Sequence, residues 1–175
     1  RGWGEVHAYE AQDRIFYALA GNIAINNCFN AKAYNKAVAD QEGKMDVPCV
    51  DYCMPGSFGS LELVQTEKSE DIGQKINPKK TTKVERARID NLDLARLDFL
   101  KVDVEGMELD VLRGARRTLE ASKPSMIIEI YKSEKEQILK ILSELGYKYV
   151  EMGFNVVAVH LDDPISGSQI FQMEK

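Results

Sequence analysis

Cysteine and histidine are scarce in this chain, and that scarcity removes two classes of protein at once. The three cysteines, Cys28, Cys49 and Cys53, are odd in number and few for 175 residues. They argue against a disulfide-stapled scaffold and suit a reduced, cytoplasmic setting. Cys49 and Cys53 sit close together, but the two histidines, His7 and His160, are far away in sequence, so no zinc or other metal site is assigned. Long apolar runs are lacking too: nothing approaches the roughly 20 residues of a membrane span, and no signal-peptide pattern is present. Nor is positive charge in excess, since 23 lysines and arginines face 28 aspartates and glutamates, a formal charge of -5. With no basic stripe interleaved with aromatics, neither nucleic acid nor membrane is expected as a partner. Repeats and low-complexity tracts are absent as well.

What remains is a globular composition, 44% hydrophobic and 29% charged, long enough for one domain with a sizeable core. Glu5 to Glu10 reads as a strand ending in an acid. Asp13 is placed to cap a helix carrying Phe16, Leu19 and Ile23 at helical spacing, with Asn26 and Asn27 as terminators. Ala31 to Ala39 is a second strand, closed by Asp40. The middle differs. Asp46 to Cys53, Leu61 to Thr66 and the alternating Thr82 to Ile89 read as strands of an antiparallel insertion, with a polar connection from Glu67 to Lys80. Such insertions sit on otherwise parallel sheets in mixed α/β folds.

The centre of the chain is Leu97 to Gly106, a short apolar strand whose end carries Asp103 and Glu105, followed by a helix over Met107 to Ala121. Its acids lie early and its arginines late, as the helix dipole favours. After Lys123 and Pro124 comes a buried strand, Ser125 to Tyr131, apolar except for Glu129. Ser133 and Glu136 form a capping-box pattern ahead of a helix stopped by Gly146. Tyr147 to Met152 and Asn155 to Leu161 are joined only by Gly153 and Phe154, which forces an antiparallel hairpin. A tail, residues 162–175, follows, with Ile170 and Phe171 placed to tack it down.

A mostly parallel sheet ending in an antiparallel hairpin is similar to the class I S-adenosylmethionine-dependent methyltransferases. The residues narrow this. Gly4 to Gln12 with Asn22 to Asn26, Ile89 to Leu92, Leu97 to Glu108, Leu112 to Ala115 and Pro124 to Glu129 together resemble the FkbM methyltransferase family. The resemblance implies an α/β, Rossmann-like class I methyltransferase sheet over residues 1–161, mostly parallel with the antiparallel insertion and hairpin. It also implies that a glycine-loop strand and helix ahead of Glu10, seen in the family, are missing. With Arg1 in place of Met, the chain is expected to be part of a longer, truncated polypeptide.

Functional roles then follow from the resemblance. S-adenosyl-L-methionine is the implied cofactor. Glu10, at a strand end, is placed to accept the ribose hydroxyls, with Ala11 beside it, or else is a surface acid. Asp40 is placed to accept the adenine amino group, or else forms a turn. Asp103 is expected against the sulfonium, and Asp103, Glu105 and Glu129 form the catalytic set, unless Glu129 is a strand carboxylate satisfied by backbone donors. Together these acids could instead hold a divalent metal, although nothing in their spacing requires one. Ser57, Phe58, Gly59 and Ser60 are placed to border the acceptor pocket, or else make a hairpin turn.

The function implied is O-methylation of a hydroxyl on a sugar or natural-product scaffold, so the partner is a small-molecule or glycan acceptor. Two rivals stand beside it: a degenerate methyltransferase fold used for binding or assembly, and a nicotinamide-dependent dehydrogenase, which an antiparallel terminal strand would oppose. Strand edges at Val6–Tyr9 and Leu100–Asp103 are expected to pair with each other or with a second copy of the chain.

Overall fold

The structure is a computed structural model, and it describes residues 4–65, 69–77 and 79–167. The chain divides into two compact units, residues 1–87 and 88–175.

In the first unit, β1 (Val6–Tyr9) leads into α1 (Asp13–Ile25) and returns through β2 (Ala31–Tyr34). The two strands pair in parallel, Val6 opposite Ala31 and Tyr9 opposite Tyr34. Asp13 is the first helical residue and not its cap: Gln12 holds the cap position, and the Asp13 carboxylate accepts the N–H of Arg14 at 2.7 Å. The asparagine stop acts as its chemistry suggests. Asn26 donates its side-chain amide to the Asn22 carbonyl at 2.8 Å, and Asn27 takes the left-handed φ of 52° that asparagine tolerates.

The single strand expected over Ala31–Ala39 is two, because Asn35 interrupts it. Its side-chain amide donates to the carbonyls of Glu10 and Ala11, at 3.0 and 3.2 Å. After that corner β3 (Lys36–Val38) leaves β1 and joins β5 (Thr81–Ala87) in parallel. On the other side of β5 lies β4 (Gly43–Pro48), antiparallel. The antiparallel insertion is therefore present, with β4 beginning three residues earlier than its expected start at Asp46. A core of Ala11, Ala37, Val47 and Val84, with Met45 and Leu63 packed against it, holds this unit together.

Residues 61–65 form no strand; Thr66 lies outside the described residues. The Glu62 carboxylate instead folds the chain back, accepting the N–H of Glu70 at 3.0 Å and the hydroxyl of Ser69 at 2.8 Å. The polar connection beyond is not all exposed, for Ile72 is buried. Of the tail, only residues 162–167 are described, so the Ile170 and Phe171 contact lies outside them.

The second unit holds β6 (Phe99–Val102), α2 (Glu108–Gly114), α3 (Arg116–Ser122), β7 (Ser125–Glu129), α4 (Lys135–Glu144), β8 (Tyr147–Met152) and β9 (Asn155–His160). The strand order is β6-β7-β9-β8. β6 and β7 are parallel, while β9 inserts antiparallel between β7 and β8. Among the described residues three strand pairings are parallel and three antiparallel, and the antiparallel ones lie in the insertion and the C-terminal hairpin. β1 bonds to β2 and β6 to β7, each on one side, and the expected pairing of β1 with β6 is not among the described strand pairings.

β7 is alternating. Met126 and Ile128 are fully buried, each burial contributing about 1.5–3 kcal/mol, and Glu129 shares the opposite face with Ser125 and Ile127. The helix expected over Met107–Ala121 is broken at Ala115. The cause lies upstream: the buried Asp90 carboxylate captures the N–H groups of Thr118 and Arg117, at 2.9 and 3.3 Å, and starts α3 as a helix of its own. The Thr118 hydroxyl and the Arg88 guanidinium complete its shell. Burial works against ionisation here, but those hydrogen bonds outweigh it and hold the Asp90 carboxyl below the usual carboxylate range.

Candidate active site

The acidic corner of the second unit begins where β6 stops. Strand alternation would carry Lys101, Asp103 and Glu105 along one face, but the strand ends at Val102 and the chain turns sharply. Glu105 has φ of 54° and Gly106 of 97°. A non-glycine residue held left-handed costs about 1–2 kcal/mol, so something must enforce it.

Glu108 does. Its side chain is almost completely buried, and it accepts the N–H of Val104 at 2.9 Å and of Gly106 at 3.1 Å. It also accepts the hydroxyl of Ser133, which is why Ser133 does not cap α4 as its spacing suggests; Glu134 occupies the cap position there.

The turn delivers Asp103 and Glu105 to Glu129 at the end of β7. One carboxylate oxygen from each of the three lies within 4.8 Å of the others, close enough to share one cation. Two lysines already offset part of that charge. Lys132 binds Glu105 at 2.7 Å in a largely buried pair, and Lys101 binds Asp103. Among the described residues Glu129 has no such lysine partner. Burial, then the charges of Asp103 and Glu105, then a hydrogen bond with Asp103, push its carboxyl up from its ordinary value. The corner thus keeps a carboxyl that holds its proton more readily beside carboxylates paired with lysines, a separation suited to proton transfer.

The first unit carries the other expected residues. Glu10 follows β1, and its carboxylate accepts the N–H of Gln12 at 2.7 Å. Burial pushes its carboxyl up, against the N–H groups of Gln12 and Ala11 that favour the charge. Ala11 turns its side chain into the apolar core with Ala37, Val47 and Val84. Asp40 is half-buried in the bend after β3, following Ala39, whose N–H bonds the Ala87 carbonyl at 3.0 Å. Ser57 precedes a 3-10 turn, Phe58–Ser60, and its hydroxyl lies 2.9 Å from that of Ser60. Gln12, which sequence reading passed over, links Glu10 to this turn: its buried amide donates to the Phe58 carbonyl at 2.8 Å and accepts the Tyr52 hydroxyl at 3.2 Å.

Gln12, Asn35, Tyr52, Glu108 and Lys132 were not singled out as site residues in the sequence. For Glu108 a signal existed, as the last residue of the Leu97–Glu108 run that carries the family resemblance. It reads equally well as an ordinary first-turn helix acid.

A model of the methyltransferase FkbM domain matches residues 1–149. The chain belongs to the FkbM methyltransferase family. Among solved structures, a methyltransferase FkbM from Methylobacillus flagellatus KT is similar at 14% sequence identity with a TM-score of 0.58. The likeness covers 89% of this chain and 36% of that one, so this FkbM chain spans about a third of that protein and shares its fold. The comparison with curated proteins returns no match. Family membership and the antiparallel β9 both count against a nicotinamide-dependent dehydrogenase. Among the described residues no helix is long and apolar enough to cross a membrane.

Proposed function

We propose that this FkbM chain belongs to an S-adenosyl-L-methionine-dependent O-methyltransferase acting on a hydroxyl of a sugar or natural-product scaffold, in the cytoplasm. The observation that carries the proposal is the convergence of Asp103, Glu105 and Glu129 at the carboxyl ends of two adjacent parallel strands, where ligands of α/β sheets bind.

The donor set fits the cofactor's chemistry. A ribose presents two hydroxyl donors, and Glu10 offers a carboxylate at a strand end with its backbone pinned by Asn35. Asp40 offers a short acceptor for the adenine amino group. When bound, the cofactor supplies a methyl group on a cationic sulfur. At the acidic corner the protein's task is to position the acceptor and take its proton.

Asp103 is the residue we assign as base. Its carboxylate is partly exposed and anchored by Lys101. Glu105, fixed by Lys132 and the Glu108-bound turn, adds negative charge that favours a neighbouring cation without reorganising. Glu129, holding its proton more readily, serves as hydrogen-bond partner to Asp103. Ser57 to Ser60 remain candidates for the acceptor's border.

The test incubates the full chain with methyl-labelled S-adenosylmethionine and a panel of monosaccharides, disaccharides and phenolic glycosides. Acceptor-dependent release of S-adenosylhomocysteine is expected, and Asp103→Asn should reduce it by about a hundredfold or more. Failure of the wild-type chain to bind S-adenosylhomocysteine, with no methyl transfer to any acceptor, overturns the reading in favour of a binding or assembly module.

A further inference from the structure

The inserted segment after β4 is bound to the Glu10 corner with more care than a surface hairpin requires. Tyr52 and Phe58 pack ring to ring with centroids 4.9 Å apart and planes tilted by 49°. Both are half-buried, so their rings are not consumed by the core. Gln12 holds both from behind, one end of its amide on the Tyr52 hydroxyl and the other on the Phe58 carbonyl. Two residues before it, Glu10 ends β1 with its carboxylate bonded to the Gln12 N–H.

The far side of the segment is equally fixed. Gln74 accepts the N–H of Asp51 at 2.9 Å and donates to its carbonyl at 3.2 Å, and the Ser57 N–H bonds the Ile72 carbonyl at 2.8 Å. Gly56 lets the chain come this close. A Cβ there would lie 3.1 Å from the Ile72 carbonyl oxygen, 3.0 Å from the Gln74 amide and 3.4 Å from the Phe58 ring. Burial, followed by the charges of Asp13 and Glu10, pushes the Tyr52 phenol up from its ordinary value.

A carboxylate able to accept two vicinal hydroxyls, beside two partly exposed aromatic faces, is the chemistry that recognises a nucleoside: diol at one end, planar base at the other. We propose that Tyr52 and Phe58 form the wall against which the adenine of the cofactor packs, with Glu10 at its ribose end. The inference rests on the methyltransferase reading above and deepens it. It moves Phe58 from the acceptor's border to the cofactor, and it gives the insertion a task in cofactor binding.

The experiment is calorimetric titration of the full chain with S-adenosylhomocysteine and, separately, adenosine. Tyr52→Ala, Phe58→Ala, Phe58→Leu, Glu10→Gln and a control on the same segment, Met54→Ala, are compared, each checked for native circular dichroism. Tyr52→Ala and Phe58→Ala should weaken both ligands at least tenfold and by similar factors, since the loss lies on the shared nucleoside. Phe58→Leu keeps the bulk and the fold but loses the ring, and should still weaken binding several-fold. Met54→Ala should change nothing. Nuclear Overhauser contacts from the adenine protons to the rings of Tyr52 and Phe58 supply a readout independent of affinity. If the wild type binds and Glu10→Gln weakens it, but the ring variants bind as tightly as wild type, the inference is overturned and the methyltransferase reading stands. If the wild type binds neither ligand, both fall together.

Discussion

Replacing Glu108 tests whether one buried carboxylate holds the acidic corner in shape. In Glu108→Ala the N–H groups of Val104 and Gly106 lose their acceptor, and the Ser133 hydroxyl loses its own. Each buried backbone donor left unpaired costs about 1–3 kcal/mol. The hydroxyl can rotate toward another partner, so its share is smaller. Against these losses stands relief from keeping a charged carboxylate out of water, which returns part of the cost. The net expectation is a destabilisation of about 2–4 kcal/mol, equivalent to a fall in melting temperature of roughly 5–15 °C for a chain of this size. Glu108→Gln keeps one acceptor oxygen but turns an amide donor toward other donors, so about 1–3 kcal/mol is expected. Urea denaturation measures the first quantity. Hydrogen exchange at Val104 and Gly106 measures the local one, and both amides should exchange faster than those of β7 in the folded variant. A variant within about 0.5 kcal/mol of wild type, with unchanged exchange at those two amides, refutes the idea that Glu108 enforces the left-handed turn.

Two further substitutions follow from the titrating groups. Asp90 is held below its ordinary range, so its contribution is present above the unfolded value near about 3.9 and is lost as pH falls through the folded one. Asp90→Ala should therefore cost about 1–3 kcal/mol near neutrality, and the gap to wild type in urea melts should narrow below about pH 4; a gap that stays constant with pH defeats the account. Glu129 has the opposite sign, since a raised carboxyl binds its proton more tightly when folded and weakens the fold as pH rises through that value. Glu129→Gln should thus be more stable than wild type at pH 7.5, with the advantage shrinking toward pH 4, while methyl transfer falls; equal stability at both pH values counts against the like-charge explanation.

Local patterns made much of this fold legible. The Gly153 and Phe154 connection could close only an antiparallel pair, and it does. The strand expected over Ser125–Tyr131 is present over Ser125–Glu129, and the asparagine stop after α1 stands where its residues suggest. Three of the failures share one cause, a polar side chain satisfied by a partner distant in sequence. Asn35 cuts a strand because it bonds a corner 24 residues back. Asp90 splits a helix 28 residues ahead. Ser133 deserts its cap for Glu108, 25 residues away. Periodicity and capping rules see only neighbours along the chain, so such captures are invisible to them. The candidate site divides likewise. Asp103, Glu105 and Glu129 were nameable as acids at strand ends, but Gln12 and Lys132 acquire meaning only through the contacts they make.

The acidic corner works against the stability of the fold that contains it. Three carboxylates within 4.8 Å repel one another, Glu105 occupies a backbone region that side chains avoid, and Glu108 is a charge withdrawn from water. Each is separately unfavourable, by about 1 kcal/mol or more. Simple replacements would relieve two of them: glycine at 105 and an amide at 129. The surrounding residues are instead arranged to make the corner tolerable, with Lys101 and Lys132 against two of the acids and two backbone donors and a hydroxyl against the buried one. Strain that a fold over-determines in this way is characteristic of positions where geometry serves chemistry. On that argument Glu108 and Lys132 belong to the site as positioning residues, although neither is assigned to touch the substrate. Lys132 is the sharper case of the two. Its removal would leave Glu105 without its cation in a largely buried place and release the side chain from the position proposed to face the cofactor's sulfonium.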